Sequence, residues 1–395
     1  MLELQHGLKL DKTLDEKARQ NFVSGLRAYI LNDMATDMRA AYECEVRPRF
    51  ERAHGRAPQD GAEVHAAMRA NEYFKFYSSM RVTAQDMVWQ SVLPIVDRER
   101  DTLAERARVL AQQVPGVRLE LDPSVAVPRS VSAIDVHLMP GSYDRENQPD
   151  DLSAGAVYDN GLAVFSFGLM GQNLDDIGQS VSRFVRAKYP GFKPRRILDL
   201  GCTIGHNTGS WKDSYPVAEV TGVDVAAPCL RYGAARARAQ GRAIEFVQMN
   251  AESLAYDDAR FDLVFSSMFL HEVPRQGIAK VLSEARRVLK PGGLMLHMEL
   301  PPNSQMSPYD AFYLDWDSYY NNEPYYKPFR DQKPEALCRA AGFAAEKFVQ
   351  FVVPSVGWYG EEGFKRALAA GTEVDSDKTG RLADGIQWYC FGAWK

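Results

Sequence analysis

The chain has no excess of positive charge: across 395 residues, 47 Lys and Arg stand against 52 Asp and Glu, a formal net charge of −5. With its arginines interleaved among acids, it carries no basic footprint for DNA or RNA, and nucleic-acid partners are not expected. Cysteine is scarce. The five present are an odd number without paired spacing, which excludes a disulfide framework and reads as reduced thiols. No apolar run reaches the length that spans a bilayer, and Met1 to Lys17 is charged and lacks the apolar stretch of a signal peptide. These absences lead to the expectation of a cytoplasmic protein with no membrane partner. Internal repeats and low-complexity tracts are also missing.

What is present is an ordinary globular composition, 45% hydrophobic and 25% charged. At this length two folding units are expected. The most informative stretch is Arg195-Arg196-Ile197-Leu198-Asp199-Leu200-Gly201-Cys202-Thr203-Ile204-Gly205. An apolar strand ends at an acid, and the chain then turns through two glycines toward a helix. Glycines at such a turn let backbone N–H groups approach a ligand, because no Cβ intervenes. The spacing Asp-x-Gly-x-x-x-Gly fits poorly the Gly-x-Gly-x-x-Gly of dinucleotide folds. Downstream, a strand from Ala218 to Val223 ends at Asp224, where a carboxylate can accept both hydroxyls of a ribose. A third strand, Ile244 to Met249, runs into Asn250-Ala251-Glu252, and a fourth spans Phe261 to Phe265. The segment Glu284 to Gly293 then leads into a fifth, Leu294 to Met298.

In this order and spacing, the motifs resemble those of the class I S-adenosylmethionine-dependent methyltransferases, in the branch with the ubiquinone and menaquinone C-methyltransferases. The resemblance covers about 195–300. It implies an α/β fold, a Rossmann-like seven-stranded mixed sheet, with Phe348 to Val353 as the sixth strand and Gln387 to Trp394 as the antiparallel seventh. It also implies S-adenosyl-L-methionine as cofactor, S-adenosyl-L-homocysteine as product and a small-molecule acceptor, such as an aromatic or hydroxylated biosynthetic intermediate. By the same resemblance Gly201, Cys202, Thr203 and Gly205 approach the cofactor, Asp199 orients its amino-acid end, and Asp224 with Val225 takes the ribose. Asn250, Ala251 and Glu252 flank the adenine, and Ser266 lies at the binding edge. Thr203 stands where the family usually has glycine and is expected to keep a negative φ. A second reading keeps the fold and the cofactor but assigns a scaffold or non-methylating role.

His271 follows the fourth strand in Phe269-Leu270-His271-Glu272-Val273, similar to the Leu-His-Asp segment of small-molecule O-methyltransferases. An imidazole near neutrality suits a general base; a packing or hydrogen-bonding role is the alternative. Glu299 on the fifth strand is within expected reach of the pocket as its catalytic companion, with Glu272 or Glu299 as the orienting carboxylate, whereas His297 is expected to be structural. A metal site from His271, His297 and Glu299 matches no recognised ligand spacing, and none is expected.

The boundaries expected are an N-terminal mostly helical domain at 1–121, a connecting region at 122–173 and the cofactor-binding domain at 174–395, with insertions at 301–335 and 355–385. In the first, Phe22, Leu26, Tyr29, Ile30 and Met34 recur at steps of three and four as one apolar face. Helices are expected at Gly61 to Met80 and Thr83 to Gln113, the second capped by Thr83 with Asp86 and kinked or divided at Pro94. Within the connecting region Val131 to Leu138 reads as a strand. The helical domain is expected to close the substrate pocket or to mediate homodimerisation. The aromatic residues of 301–335 read as a substrate lid, or as a sheet-edge or dimer contact.

Overall fold

The computed structural model describes residues 4, 6–370 and 387–395. Eight strands form one sheet: β1 (Arg118–Glu120), β2 (Arg196–Leu200), β3 (Glu219–Asp224), β4 (Glu245–Gln248), β5 (Phe261–Ser267), β6 (Leu289–Glu299), β7 (Phe348–Pro354) and β8 (Gln387–Trp394). Their order is β1-β4-β3-β2-β5-β6-β8-β7, parallel from β1 to β6, with β8 antiparallel to both neighbours. The seven expected strands are all here. The eighth, β1, corrects the count: it lies in the stretch expected to be helical and adds to the free edge of β4. Three residues bounded by a turn leave little periodic signal.

The central strand β2 buries Ile197, Leu198 and Leu200, as a strand covered on both faces must. On one face the helix Arg275–Val288 turns Ile278, Val281, Leu282, Ala285 and Val288 inward at helical spacing. On the other, the helices Asp176–Lys188 and His206–Ser214 bury Val181, Phe184, Val185 and Trp211. Chain order reverses on either side of β2, which opens a crevice beyond the carboxyl ends of β2, β3 and β5.

A helical run covers 14–54, opened by a reciprocal cap between Thr13 and Glu16 and interrupted by π-helical turns at Ile30–Met34 and Tyr42–Val46. The apolar face that the periodicity indicated is buried only in part: Ile30 and Met34 are buried and Leu26 packs beside them. Phe22 and Tyr29 are exposed, while Gln20, Val23, Ser24 and Arg27 face inward. The long helix meets that face with polar partners beside its apolar ones: Gln20 Nε2 donates to the Ser91 carbonyl and Arg27 Nη1 to Gln85 Oε1, while Val23 packs near Val88 and Trp89. A separate helix, Gly61–Met68, is followed by the 42-residue helix Glu72–Gln113. Asn71 Oδ1 caps the long helix by accepting from Phe74 N at 3.0 Å, so the start expected at Thr83 is wrong and the helix expected at Gly61 to Met80 divides at Asn71. Pro94 lies inside the long helix without dividing it.

The strand expected at Val131 to Leu138 is absent. That segment holds a short helix, Arg129–Ser132, and a turn, Val136–Leu138, in which His137 and Leu138 have φ of +58° and +57°. After it, the helix Ser153–Phe165 is buried along almost its whole length between the helices Glu72–Gln113 and Ala227–Ala239. Within 301–335, the helix Pro308–Tyr320 packs Phe312 and Trp316 against Phe74 and stacks Trp316 on Tyr77. Of the insertion expected at 355–385, residues 371–385 lie outside the described residues.

Candidate functional site

A cavity of about 630 Å³ opens at the carboxyl ends of the parallel strands and extends under the N-terminal helices and the helix Pro308–Tyr320. Its floor is built by the turns after β2, β3 and β4. Gly201 has φ +65°, and a Cβ there would lie 2.2 Å from the Phe269 ring, so only glycine fits. Thr203 does not keep the negative φ expected of it: it sits at +49° and donates its backbone N–H to Asp224 Oδ2 at 2.9 Å. That bond holds the turn in a conformation a β-branched residue adopts at a cost. The other carboxylate oxygen of Asp224 accepts from Ala226 N at 2.9 Å.

Asp199, Gly201, Cys202, Thr203, Asp224, Val225, Asn250, Ala251, Glu252 and His271 all line the cavity. Three expected residues do not. Gly205 forms the left-handed turn at the start of the helix His206–Ser214, and a Cβ there would lie 2.8 Å from Phe246. Ser266 points away, bonded to His297 Nδ1 at 2.7 Å, while the next residue, Ser267, faces the cavity; one step along a strand reverses the face. Glu299 is fully buried behind the wall. His297 is structural: burial pushes its pKa down to about 3, so it stays neutral.

Two carboxylates mark the floor. Burial raises Asp199 to about 7, opposed by the hydroxyl of Thr208 at 2.5 Å, and burial likewise raises Asp224 to about 6 against the pull of its backbone N–H partners. Neither has a cationic side chain within ion-pairing distance among the described residues. An acid held without a cation in a glycine-lined turn fits an ammonium group of a ligand, and an acid at a strand end with free lone pairs fits vicinal hydroxyls.

Where floor meets roof, His271 donates or shares a proton at Nδ1 with Glu299 Oε2 at 2.6 Å. Glu299 also accepts from Phe269 N at 2.9 Å and Leu270 N at 2.7 Å, which fixes its position. His271 Nε2 is left toward the cavity, 3.9 Å from Glu323 Oε2, with the ring packed on Tyr326. Burial disfavours its protonation, but Glu299, with Glu323 and Glu272 beyond it, outweighs burial and raises its pKa above the ordinary imidazole value.

Sequence reasoning missed His137, Tyr143 and Glu323 on the roof and gave Glu272 only as a carboxylate beside His271. His137 Nδ1 lies 3.1 Å from Glu323 Oε1 and Nε2 3.3 Å from Glu272 Oε1, and Tyr143 donates its hydroxyl to the same Glu272 oxygen at 2.8 Å. Burial opposes its charge, yet the two glutamates push His137 up to about 10, so it is an imidazolium across the neutral range. Reading Val131 to Leu138 as a strand hid the turn at His137.

Residues 197–293 match the family described as a methyltransferase domain. The demethylmenaquinone methyltransferase of Thermus thermophilus is 35% identical over 127 residues, covering 32% of this chain and 55% of that protein. A ubiquinone/menaquinone biosynthesis C-methyltransferase of Brucella anthropi is 41% identical over 101 residues, 25% of this chain and 37% of its own length. The chain thus spans about half or less of the curated relatives it matches. Among solved structures, the phosphoethanolamine N-methyltransferase 2 of Haemonchus contortus superposes with a TM-score of 0.39 at 19% identity, over 60% of this chain and 57% of that one. Glycine turn, strand-end acids and sheet order agree with the sequence match: residues 197–293 are a methyltransferase domain of the class I, S-adenosylmethionine-dependent type.

Proposed function

We propose that this protein transfers a methyl group from S-adenosylmethionine to a hydroxyl of a small, flat acceptor, with His271 as general base. The observation that carries the reading is the Glu299–His271 pair: Nδ1 is committed to the carboxylate at 2.6 Å, which leaves Nε2 on the cavity side as the nitrogen free to take a proton. When bound, the cofactor supplies an electrophilic methyl group on a sulfonium. Asp199 would hold its ammonium and Asp224 its ribose, while the turn from Gly201 to Thr203 gives it backbone contact.

The rest is the work of this chain. Nε2 accepts the hydroxyl proton as the oxygen becomes nucleophilic, and Glu299 stabilises the imidazolium that results without itself leaving its place. Tyr313 and Tyr326 line the upper cavity, where they exclude water and favour a planar acceptor. Under this reading the N-terminal helices close the pocket, through Arg27, Arg81 and Trp89. Exposed Phe22, Tyr29 and Phe76 on the same helices support a homodimer, which solution mass would test.

Calorimetric titration with S-adenosylhomocysteine should show binding, and incubation of S-adenosylmethionine with a panel of phenols and catechols should release S-adenosylhomocysteine. Failure to bind sinks the reading. Binding without turnover across the panel favours the non-methylating alternative.

A further inference from the structure

At the roof end of the cavity the charge is incomplete. Arg27 and Arg81 both line the cavity and both are almost wholly buried, at 1% exposure each. Arg81 is paired, its Nε donating to Asp317 Oδ1 at 2.6 Å. Arg27 is not. Its Nη1 donates to Gln85 Oε1 at 2.6 Å and its Nε to the Phe165 carbonyl at 3.2 Å, and its guanidinium lies 4.1 Å from the centre of the Phe165 ring. Nη2, buried, has no hydrogen-bond partner, and no carboxylate lies within ion-pairing distance of the group among the described residues. A guanidinium does not escape this by losing its proton. A buried, uncompensated charge is strongly unfavourable unless something of opposite sign completes it.

We propose that this end of the cavity is a carboxylate subsite, and that the acceptor is a hydroxylated aromatic acid whose carboxylate seats on Arg27 with Arg81 beside it. The inference rests on the methyl-transfer reading for the hydroxyl end only. Charge selects the class: two arginines against one aspartate leave a single positive charge, which a carboxylate neutralises and a phosphate dianion would overshoot. Geometry sets the length. Asp317, which holds Arg81, lies in the helix Pro308–Tyr320, and Asn321, the capping residue at its end that sits 2.9 Å from His137, is four residues on, a rise of about 6 Å. The anionic group therefore belongs about one aromatic ring away from the polar cluster beside His271.

Gln85 couples the two ends. Its Oε1 accepts from Arg27 and, at 3.1 Å, from Arg81, while its Nε2 donates to the His137 carbonyl at 2.9 Å. The oxyanion site and the turn that carries His137 are thus held in register by one side chain on the long helix.

The test uses the full chain, with and without saturating S-adenosylhomocysteine, titrated with para-hydroxybenzoate, para-coumarate, their methyl esters and phenyl phosphate. The acids should bind about tenfold or more tighter than the esters, as charge-assisted hydrogen bonds to a buried arginine require. Arg27→Met should erase that preference with S-adenosylhomocysteine affinity unchanged, and Asp317→Asn, which removes the competing carboxylate, should widen it. Should Arg27→Met fail to fold, Arg27→Lys and Asp317→Asn decide. Equal binding of acids and esters, no binding by any acid, tighter binding of phenyl phosphate, or a preference that survives Arg27→Met overturns the proposal. Preference for acids by a protein that does not bind S-adenosylhomocysteine keeps the subsite and removes the methyl-transfer reading; the converse result does the reverse.

Discussion

The floor and the roof of the cavity are charged in opposite senses, and each lacks its counter-charge. On the floor, Asp199 and Asp224 are carboxylates without a cationic partner among the described residues, raised by burial to about 7 and about 6. On the roof, Arg27 is a buried guanidinium with an unpartnered nitrogen. Between them, His271 and His137 are set among Glu299, Glu323 and Glu272, where every carboxylate has a partner. A folded protein tolerates such local imbalance where a ligand completes it. The comparison teaches that the two ends ask for different chemistry: a cationic, hydroxylated ligand below and an anionic one above, with the proton-transfer group at the seam.

The largest expected effect lies at that seam. His271→Ala should lower kcat by about 10² to 10⁴, the usual contribution of a positioned base, with cofactor affinity unchanged. Single-turnover kinetics beside calorimetry would check it, and a parallel fall in cofactor affinity would assign His271 to the floor alone. Next comes the floor itself. Asp224→Ala should weaken S-adenosylhomocysteine binding by about 10- to 100-fold, the cost of charge-assisted hydrogen bonds lost from a buried site, without touching acid-over-ester preference at the roof.

A smaller effect is the pH dependence of the His271–Glu299 pair. Because the base must be neutral to act, kcat should rise with pH through an apparent pKa above the ordinary imidazole value, the direction in which Glu299 moves His271. Glu299→Gln removes the negative neighbour, so the acidic limb should move to lower pH while the plateau falls. An unmoved limb would show that Glu299 has only a structural part. The smallest concerns the floor turn. Thr203→Gly relieves a left-handed φ and should stabilise the free protein by about 0.5 to 1 kcal/mol, read as a rise in Tm. A lower Tm would mean that the Thr203 side chain makes contacts worth more than the strain.

Legibility divided along the same line as charge. The strands β2 to β6, the Gly201 turn, Asp224 and His271 could be found from local pattern, because a buried parallel strand and the turn that follows it are contiguous in sequence. Local pattern failed where the neighbour decided. Phe22 looked like core and is exposed, since the long helix offers hydrogen-bond partners to Gln20 and Arg27, which turn inward instead. Val131 to Leu138 looked like a strand, yet the backbone turns left-handed at His137, whose carbonyl accepts from Trp89 Nε1 at 2.8 Å and Gln85 Nε2 at 2.9 Å. Ser266 was named in place of Ser267 because spacing alone does not tell which face of β5 is wet.

By itself the sequence determined the methyltransferase core: an ordered series of apolar strands, with an acid and glycines at the end of β2 and an acid at the end of β3, where a cofactor of this kind is held. The roof was decided only by tertiary structure. Arg27 meets Gln85 across 58 residues, and Arg81 meets Asp317 across 236. Such pairs leave no periodic trace, because hydrogen bonding and charge compensation act through space, and whether a buried arginine is satisfied depends on what the rest of the chain brings to it.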